Sequence, residues 1–355
     1  MKILIGMSGG VDSSVAALLL KNEGHDITGV TMKIWREGKY AGGQRDSCFG
    51  PNDDDNIAEA ARLCEFIGIP HSVFDCFEEY DKFVIENFRN EHLAGRTPNP
   101  CVQCNAILKC GLLPDKAEEE GVDFDFFATG HYARKGHNGK RHTLLRAVDA
   151  DKDQSYFLYR LSQRQLARHL FPLGEMTKEQ VREIAREYNI LDAVRAESQD
   201  FYSGDRNELI GEPDRPGNFV DSQGNVLGKH SGFWKYTVGQ RKGIGIAMPE
   251  PLYVKELNAC RNEVVVGYAD EVIFHKLIAD DINWIAFENL EEKMEVRIKV
   301  RSAGEPRPGA VIMPVSGGRV EAAFEDGIAG VAPGQSAVFY QGDTVLGGGI
   351  ITERS

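Results

Sequence analysis

The sequence predicts an α/β protein: a parallel-sheet domain, then a small central domain, then a C-terminal β-barrel. Three observations lead there. Strand and helix signals alternate through the first 130 residues, the chain runs to 355 residues, and short strand signals crowd together after residue 205. Alternating strands and helices imply parallel strands covered on both faces. Single cores rarely grow far beyond ~250 residues, so two or three domains are expected. The boundaries fall at 1–204, 205–268 and 269–355.

Residues 2–7 read as a buried strand and 13–22 as an apolar helix whose stop is Gly24, a residue suited to the left-handed end position. Residues 27–34 form a second strand, 56–67 a helix ending at Gly68, and 71–74 a third strand. A long helix is expected over 77–93, with Tyr80, Phe83, Val84 and Phe88 near helical spacing, and a further strand over 125–132. Asn138-Gly139 supplies the positive φ angles of a tight hairpin. Thr177-Lys178-Glu179-Gln180 is a capping-box pattern opening a helix to about residue 188. Strands at 253–257, 263–266, 294–300, 310–315, 320–324 and 336–340 then follow one another without long helices, the texture of a barrel or sandwich.

Hydrophobic content of 42% and charged content of 27% are ordinary for a soluble globular chain. No apolar run approaches the ~20 residues of a membrane span. The first residues run straight into a strand with no cleavable leader pattern, so a cytoplasmic location without membrane partners is expected. Seven cysteines are too few and too scattered for a secreted disulfide framework. Cys101 and Cys104 form a Cys-x-x-Cys with Cys110 close behind, while Cys48, Cys64, Cys76 and Cys260 stand alone. A net charge of −13 argues against a general nucleic-acid coat protein. Residues 134–168 nevertheless hold nine Lys/Arg against three Asp, and 229–242 hold four and no acid. A basic face on an acidic chain suits a selective RNA binder.

Ser8-Gly9-Gly10-Val11-Asp12-Ser13-Ser14, between a strand and a helix, is the strongest single signal. Two glycines let the backbone approach an anion and turn its N–H groups inward. The serines add hydroxyl donors, and the following helix presents its positive dipole end. Asp12 serves a phosphate best through Mg²⁺. Gly-Lys-Ser/Thr and GxGxxG are both absent, so this is neither a Walker A loop nor a dinucleotide fingerprint. The pattern is similar to the PP-loop of the ATP pyrophosphatases, which cleave ATP to AMP and pyrophosphate and attach AMP to a substrate oxygen.

Further segments narrow the resemblance. They are Gly95-Arg96-Thr97-Pro98-Asn99-Pro100-Cys101-Val102-Gln103-Cys104-Asn105, Ala128-Thr129-Gly130-His131-Tyr132, and Asp151-Lys152-Asp153-Gln154-Ser155. Tyr236-Thr237-Val238-Gly239-Gln240-Arg241-Lys242 and Pro333-Gly334-Gln335-Ser336 complete the set. Nearly end to end, the chain resembles the tRNA-specific 2-thiouridylase family, whose product is 2-thiouridine at the wobble position of certain tRNAs. The resemblance implies that Gly6, Met7, Ser8, Gly9, Gly10, Val11, Asp12 and Ser13 bind ATP, with Met32 beside the adenine and Gly130 completing the pocket. It implies Asn99, Pro100 and Cys101 beside the target base, Cys104 as nucleophile, and tRNA contacts from Lys152, Asp153, Gln154, Arg301 and Ser302. The family has an aromatic residue where Ser302 stands. ATP and Mg²⁺ are the implied cofactors, tRNA the substrate, and a cysteine desulfurase or sulfur-relay protein the sulfur source.

A thiolate or persulfide is the right soft nucleophile for a carbon activated by adenylation. Prolines before Cys101 stiffen its loop, and Arg96 is a candidate for lowering a nearby thiol pKa. The chain departs from the family at Ser198-Gln199-Asp200-Phe201-Tyr202-Ser203-Gly204, where Tyr202 stands in place of a second catalytic cysteine, and the segment beyond looks shortened. Three readings remain open. Cys101 could resolve or carry sulfur for Cys104. Cys101, Cys104 and a third ligand such as Cys110 could hold an iron–sulfur cluster that binds sulfide, although cluster ligands tend to come with tighter spacing. Or the chain binds ATP and tRNA with weak or absent thiolation. Zinc at Cys101/Cys104 lacks a clear second ligand pair, and the remaining alternatives are a PP-loop amide-forming synthetase, a non-catalytic tRNA-binding or sulfur-relay protein, and a redox protein built around Cys101 and Cys104.

Overall fold

The computed structural model describes residues 1–40, 47–190, 201–202 and 204–355. Strands β1 (Lys2–Gly6), β2 (Asp26–Lys33), β3 (His71–Asp75) and β4 (Phe126–Thr129) are the runs expected from the sequence. Two hairpin strands follow, β5 (Ala133–His137) and β6 (His142–Arg146), and then the short β7 (His169–Leu170). A parallel sheet orders them β3-β2-β1-β4-β7. Ile3 and Ile5 face a core with helices α1 (Val11–Asn22) and α2 (Asp53–Ile67). Leu4, between them, faces Leu113, Phe124 and Phe127 on the other side. Alternation along one fully buried strand thus divides two helical layers.

The run expected as one helix over 77–93 is helical throughout but winds as a π-helix over Asp81–Ile85, between Phe77–Tyr80 and Glu86–Leu93. The box at Thr177 caps Lys178–Glu187 as expected. A second box, Ser162 with Gln165, went unanticipated.

Strands β8 (Gly217–Val220), β9 (Val226–His230), β10 (Tyr253–Asn258) and β11 (Glu263–Gly267) form a small central sheet ordered β10-β11-β8-β9. Six antiparallel strands then close a barrel: β12 (Ile273–Trp284), β13 (Met294–Lys299), β14 (Arg307–Val315), β15 (Arg319–Ala329), β16 (Ser336–Gln341) and β17 (Thr344–Arg354). Pairing of β12 with β17 shuts it. Neither closing strand was foreseen, because β12 carries polar residues and breaks register, and β17 holds three glycines in a row. Close packing explains the glycines: a Cβ on Gly349 would stand 2.3 Å from the Ile282 side chain. The β5–β6 hairpin extends this barrel sheet through β6–β17 pairing, so the first and last parts of the chain share one sheet.

One aromatic core joins the first part to the central sheet. It gathers Tyr80, Phe88, Leu108, Phe201 and Tyr202 with Phe233, Trp234, Val254 and Val264.

Candidate functional site

The nucleotide loop leaves β1 at Gly6 and enters α1 at Val11. Gly9 takes a left-handed φ of 75°, and a Cβ there would lie 3.0 Å from the Asn56 carbonyl. Ser13 organises the turn: its hydroxyl accepts the Ser8 N–H at 3.3 Å, lies 3.2 Å from the Ser8 hydroxyl and donates to the Gly10 carbonyl at 3.1 Å. No side chain caps α1, so its first-turn N–H groups stay available to an anion. Gly130, at the end of β4, presses on this turn. A Cβ there would stand 2.8 Å from the backbone of Asp12 and Ser13.

Asp12 is held from two sides, by the Tyr132 hydroxyl at 2.8 Å and the Lys178 ammonium at 2.7 Å. The Lys178 side chain is only 6% exposed. In the sequence Lys178 is only the residue after a helix cap, yet that cap places a buried cation beside the nucleotide loop. Its signal was weak: a lysine in a first turn, where the dipole disfavours it.

Cys101 and Cys104 pack on a core that Ile34 and Trp35 after β2 and Cys76 after β3 enter, at the carboxyl end of the sheet where ligands of such folds gather. Met32 at the end of β2 packs against the aromatic core, and so do Cys101 and Cys104. Asn99 caps the short helix Pro100–Gln103 by accepting the Val102 N–H, and Pro100 occupies its first position, where a missing N–H costs nothing. Helical winding continues through Cys104–Leu112. Cys110, in the same run, is buried in a different cluster with Val102, Leu144 and Tyr156. Among the described residues no three His, Cys, Asp or Glu side chains are arranged to hold a metal ion. Cys110, buried in its separate cluster, is not gathered with Cys101 and Cys104 into such a set.

The loop before Cys101 is strapped to the barrel. Thr97 donates its N–H to the Pro333 carbonyl at 2.7 Å, and the Gln335 amide donates to the Thr97 carbonyl at 2.8 Å and that of Pro98 at 3.3 Å. Arg96 does not serve the thiols, because its guanidinium forms a paired contact with Glu91. The cation that bears on Cys104 is Lys109. Burial pushes the Cys104 thiol up and Lys109 partly offsets that.

Cys48 belongs to the same neighbourhood, which its isolation in the sequence gave no reason to expect. Its Sγ donates to the Phe201 carbonyl at 3.6 Å, and the Phe49 N–H donates to that same oxygen at 2.9 Å. Phe49 in turn stacks on Tyr80 with ring centroids 5.0 Å apart. Tyr202, at the position expected for a second cysteine, is buried and donates to Glu208 at 2.6 Å. Ser198, Gln199, Asp200 and Ser203 of that run lie outside the described residues.

The residues expected to meet RNA divide. Lys152 is half-exposed in its turn. Asp153 is turned inward: its side chain is 1% exposed, pairs with Arg146 at 3.3 Å and accepts the N–H groups of Ala147 and Ser155. Gln154 accepts the Tyr132 N–H at 2.8 Å. Both shape the turn from within. Arg146 also pairs with Glu305 at 2.7 Å, which ties this turn to the loop holding exposed Arg301 and half-exposed Ser302. Arg241 and Lys242 line a concavity of about 500 Å³ in an exposed loop of the central part.

Three family models cover the chain: a tRNA methyl transferase HUP domain over residues 1–202, a tRNA methyl transferase PRC-barrel domain over 209–268, and an aminomethyltransferase β-barrel domain over 274–351. Proteins named tRNA-specific 2-thiouridylase MnmA match over nearly their whole length. That of Endomicrobium trichonymphae is 46% identical across 99% of both chains. Those of Clostridium botulinum and Geotalea uraniireducens are 43% and 46% identical over 99% of this chain, covering 97% and 94% of their own. No helix among the described residues is long and apolar enough to cross a membrane.

Proposed function

Since this chain belongs to the tRNA-specific 2-thiouridylase family, we propose that it replaces the 2-oxygen of a tRNA uridine, at the wobble position, with sulfur at the expense of ATP. The nucleotide loop holds the triphosphate so that the uridine 2-oxygen attacks the α-phosphorus and pyrophosphate leaves. Sulfur carried on Cys104 then attacks C2 and AMP departs, taking the original oxygen. Adenylate leaves far more readily than oxide, which is the reason for the first step.

The geometry supports a role for each group. Uncapped N–H groups of α1, with Ser8 and Ser13, cradle phosphate. Asp12 would hold the Mg²⁺ of a bound nucleotide, which would offset phosphate charge, and Lys178 beside Asp12 supplies a fixed positive charge. Asn99 and Pro100 set the angle at which Cys101 and Cys104 meet the base. Lys152, Arg301 and Ser302 take the tRNA backbone, while Asp153 and Gln154 hold the Lys152 turn in shape. A cysteine desulfurase or relay protein loads the sulfur. The descriptions of the matching domains speak of methyl transfer, but a methyl donor makes no use of a triphosphate cradle or of paired cysteines.

The observation that carries this reading is that Met32, beside the nucleotide strand, shares one aromatic core with Cys101 and Cys104. The test is tRNA transcript, ATP and a persulfide donor, with 2-thiouridine, AMP and pyrophosphate quantified together. Equal amounts of all three are expected. Pyrophosphate formation that requires an amine and no sulfur would overturn it in favour of an amide-forming synthetase.

A further inference from the structure

On the thiolation reading, on which this inference rests, adenylation of a uridine releases a proton. The base carries hydrogen on N3, and the 2-oxygen keeps an adenylate on a neutral ring only once that hydrogen has left. Asp12, the one carboxylate of the nucleotide loop, is already held by Tyr132 and Lys178.

Successive residues of β4 and the turn after it face opposite sides of the sheet. Ala128 and Tyr132 pack in the layer of α1, and Gly130 between them presses on the backbone of Asp12 and Ser13. Phe127 faces the other way, with Leu4 and Leu113, and meets the His169 ring edge-on with centroids 5.2 Å apart. Thr129 and His131 take the alternate positions that continue from Phe127. That is the side of the helical run Cys104–Leu112, which leads into Leu113. His131 therefore stands between the nucleotide loop on one face and the cysteine-bearing run on the other.

The Thr129 hydroxyl lies 2.8 Å from His131 Nδ1 and 3.0 Å from His169 Nε2. With one hydrogen to give, it donates to one ring and accepts from the other. All three residues are buried. Burial pushes both imidazoles down, that of His169 to about 3, and the ammonium groups of Lys109 and Lys135 add to this, so both rings stay neutral. Two neutral rings bridged by a hydroxyl can pass a proton from end to end without either becoming charged. The far nitrogens, His131 Nε2 and His169 Nδ1, make no hydrogen bond to a described residue. His169 also lines a concavity of about 220 Å³ with Cys110 and Phe124, and exposed Arg164 and Asp115 on its wall open it to solvent.

We propose that His131 takes the N3 proton of the target uridine during adenylation, and that Thr129 and His169, acting through it, pass a proton on to solvent. The C2–O pair forms the bond to the α-phosphorus, the bond to pyrophosphate breaks, and the N3–H pair becomes the N3=C2 double bond. The proton moves to His131 Nε2. His131 Nδ1 gives its own to Thr129 Oγ1, the hydroxyl gives its own to His169 Nε2, and His169 Nδ1 releases one to water in the concavity. Every group ends neutral, with both tautomers exchanged. The reverse passage returns a proton to N3 when the thiocarbonyl forms, which resets the rings.

The test follows tRNA-dependent pyrophosphate release in a single turnover of the full-length protein over a series of solvent deuterium fractions. Several protons moving together should bow the plot of rate below a straight line. A straight plot, or no isotope effect, overturns the relay. Thr129→Val keeps the shape of the side chain and removes the bridge. It should slow release on the order of 100-fold and straighten the plot, and Thr129→Ser should recover both. Normal release by Thr129→Val, or a loss that Thr129→Ser shares, overturns the proposal while leaving thiolation intact. Absence of tRNA-dependent pyrophosphate and 2-thiouridine from the unaltered protein would instead remove the thiolation reading, and this inference with it. The plot of the unaltered protein stands however the variants fold.

Discussion

The nucleotide loop and the cysteine chamber lie at one end of the same sheet but are built in opposite ways. The loop is largely local: Ser8, Gly10, Ser13 and Ser14 bond to each other within seven residues, and Gly130, Tyr132 and Lys178 are among the few pieces that come from elsewhere. The chamber is assembled from distant pieces. Cys48 meets Phe201, Tyr80 stacks under Phe49, and Pro333 and Gln335 hold Thr97 and Pro98 from the barrel. Phosphate recognition needs a rigid, repeated arrangement of N–H groups, which seven residues can encode. Sulfur transfer needs a sulfur carrier and an activated base held against each other, and the walls of such a chamber come from several stretches of chain.

If the two regions act as separate steps, substitutions should separate them. The largest effect belongs to Cys104→Ser: thiolation should fall by 10³-fold or more on the order of magnitude of a lost covalent nucleophile, while tRNA-dependent pyrophosphate release continues. Loss of both together would mean that adenylation depends on the thiol. Lys178→Met should act the other way, slowing pyrophosphate release about 100-fold by removing a preorganised charge, and single-turnover rates with ATP measure it. Gln335→Ala removes two hydrogen bonds from the strap at roughly 1 kcal/mol each. It should lower thiolation about tenfold and leave pyrophosphate release nearly unchanged, so an equal loss in both would blur the distinction. The smallest effect is at the RNA face, where Lys152→Ala should weaken tRNA binding a few-fold and reduce the salt dependence by about one counterion. Asp153→Asn, by contrast, should lower the melting temperature, since that carboxylate is buried against Arg146.

The same contrast governs what could be read in the sequence. Ser8–Ser14 was legible because its glycines, serines and following helix all lie in one window, and the strands β1 to β4 were legible as buried apolar runs. The barrel's closing strands were not, because β12 and β17 earn their pairing from contacts with each other across some seventy residues rather than from alternation. The resemblance gives Asp153 and Gln154 tRNA contacts, and only the fold shows that Arg146 and the Tyr132 N–H bond to their side chains. Arg96 looked like the cation beside the thiols, but Glu91, five residues earlier, pairs with it and leaves Lys109 in that place. Cys48 and Lys178 carried almost no local signal, since each gains meaning from a partner more than a hundred residues away.

Both regions rest on one chemical premise, that the uridine 2-oxygen is adenylated in the cradle before sulfur arrives. The direct measurement uses tRNA carrying ¹⁸O at the 2-position of the target uridine, with the unaltered protein, ATP and a persulfide donor, followed by mass analysis of the AMP formed. One ¹⁸O in the AMP phosphate for each 2-thiouridine is the expected result. AMP whose phosphate carries only solvent or nucleotide oxygen, formed alongside thiolated tRNA, would contradict it.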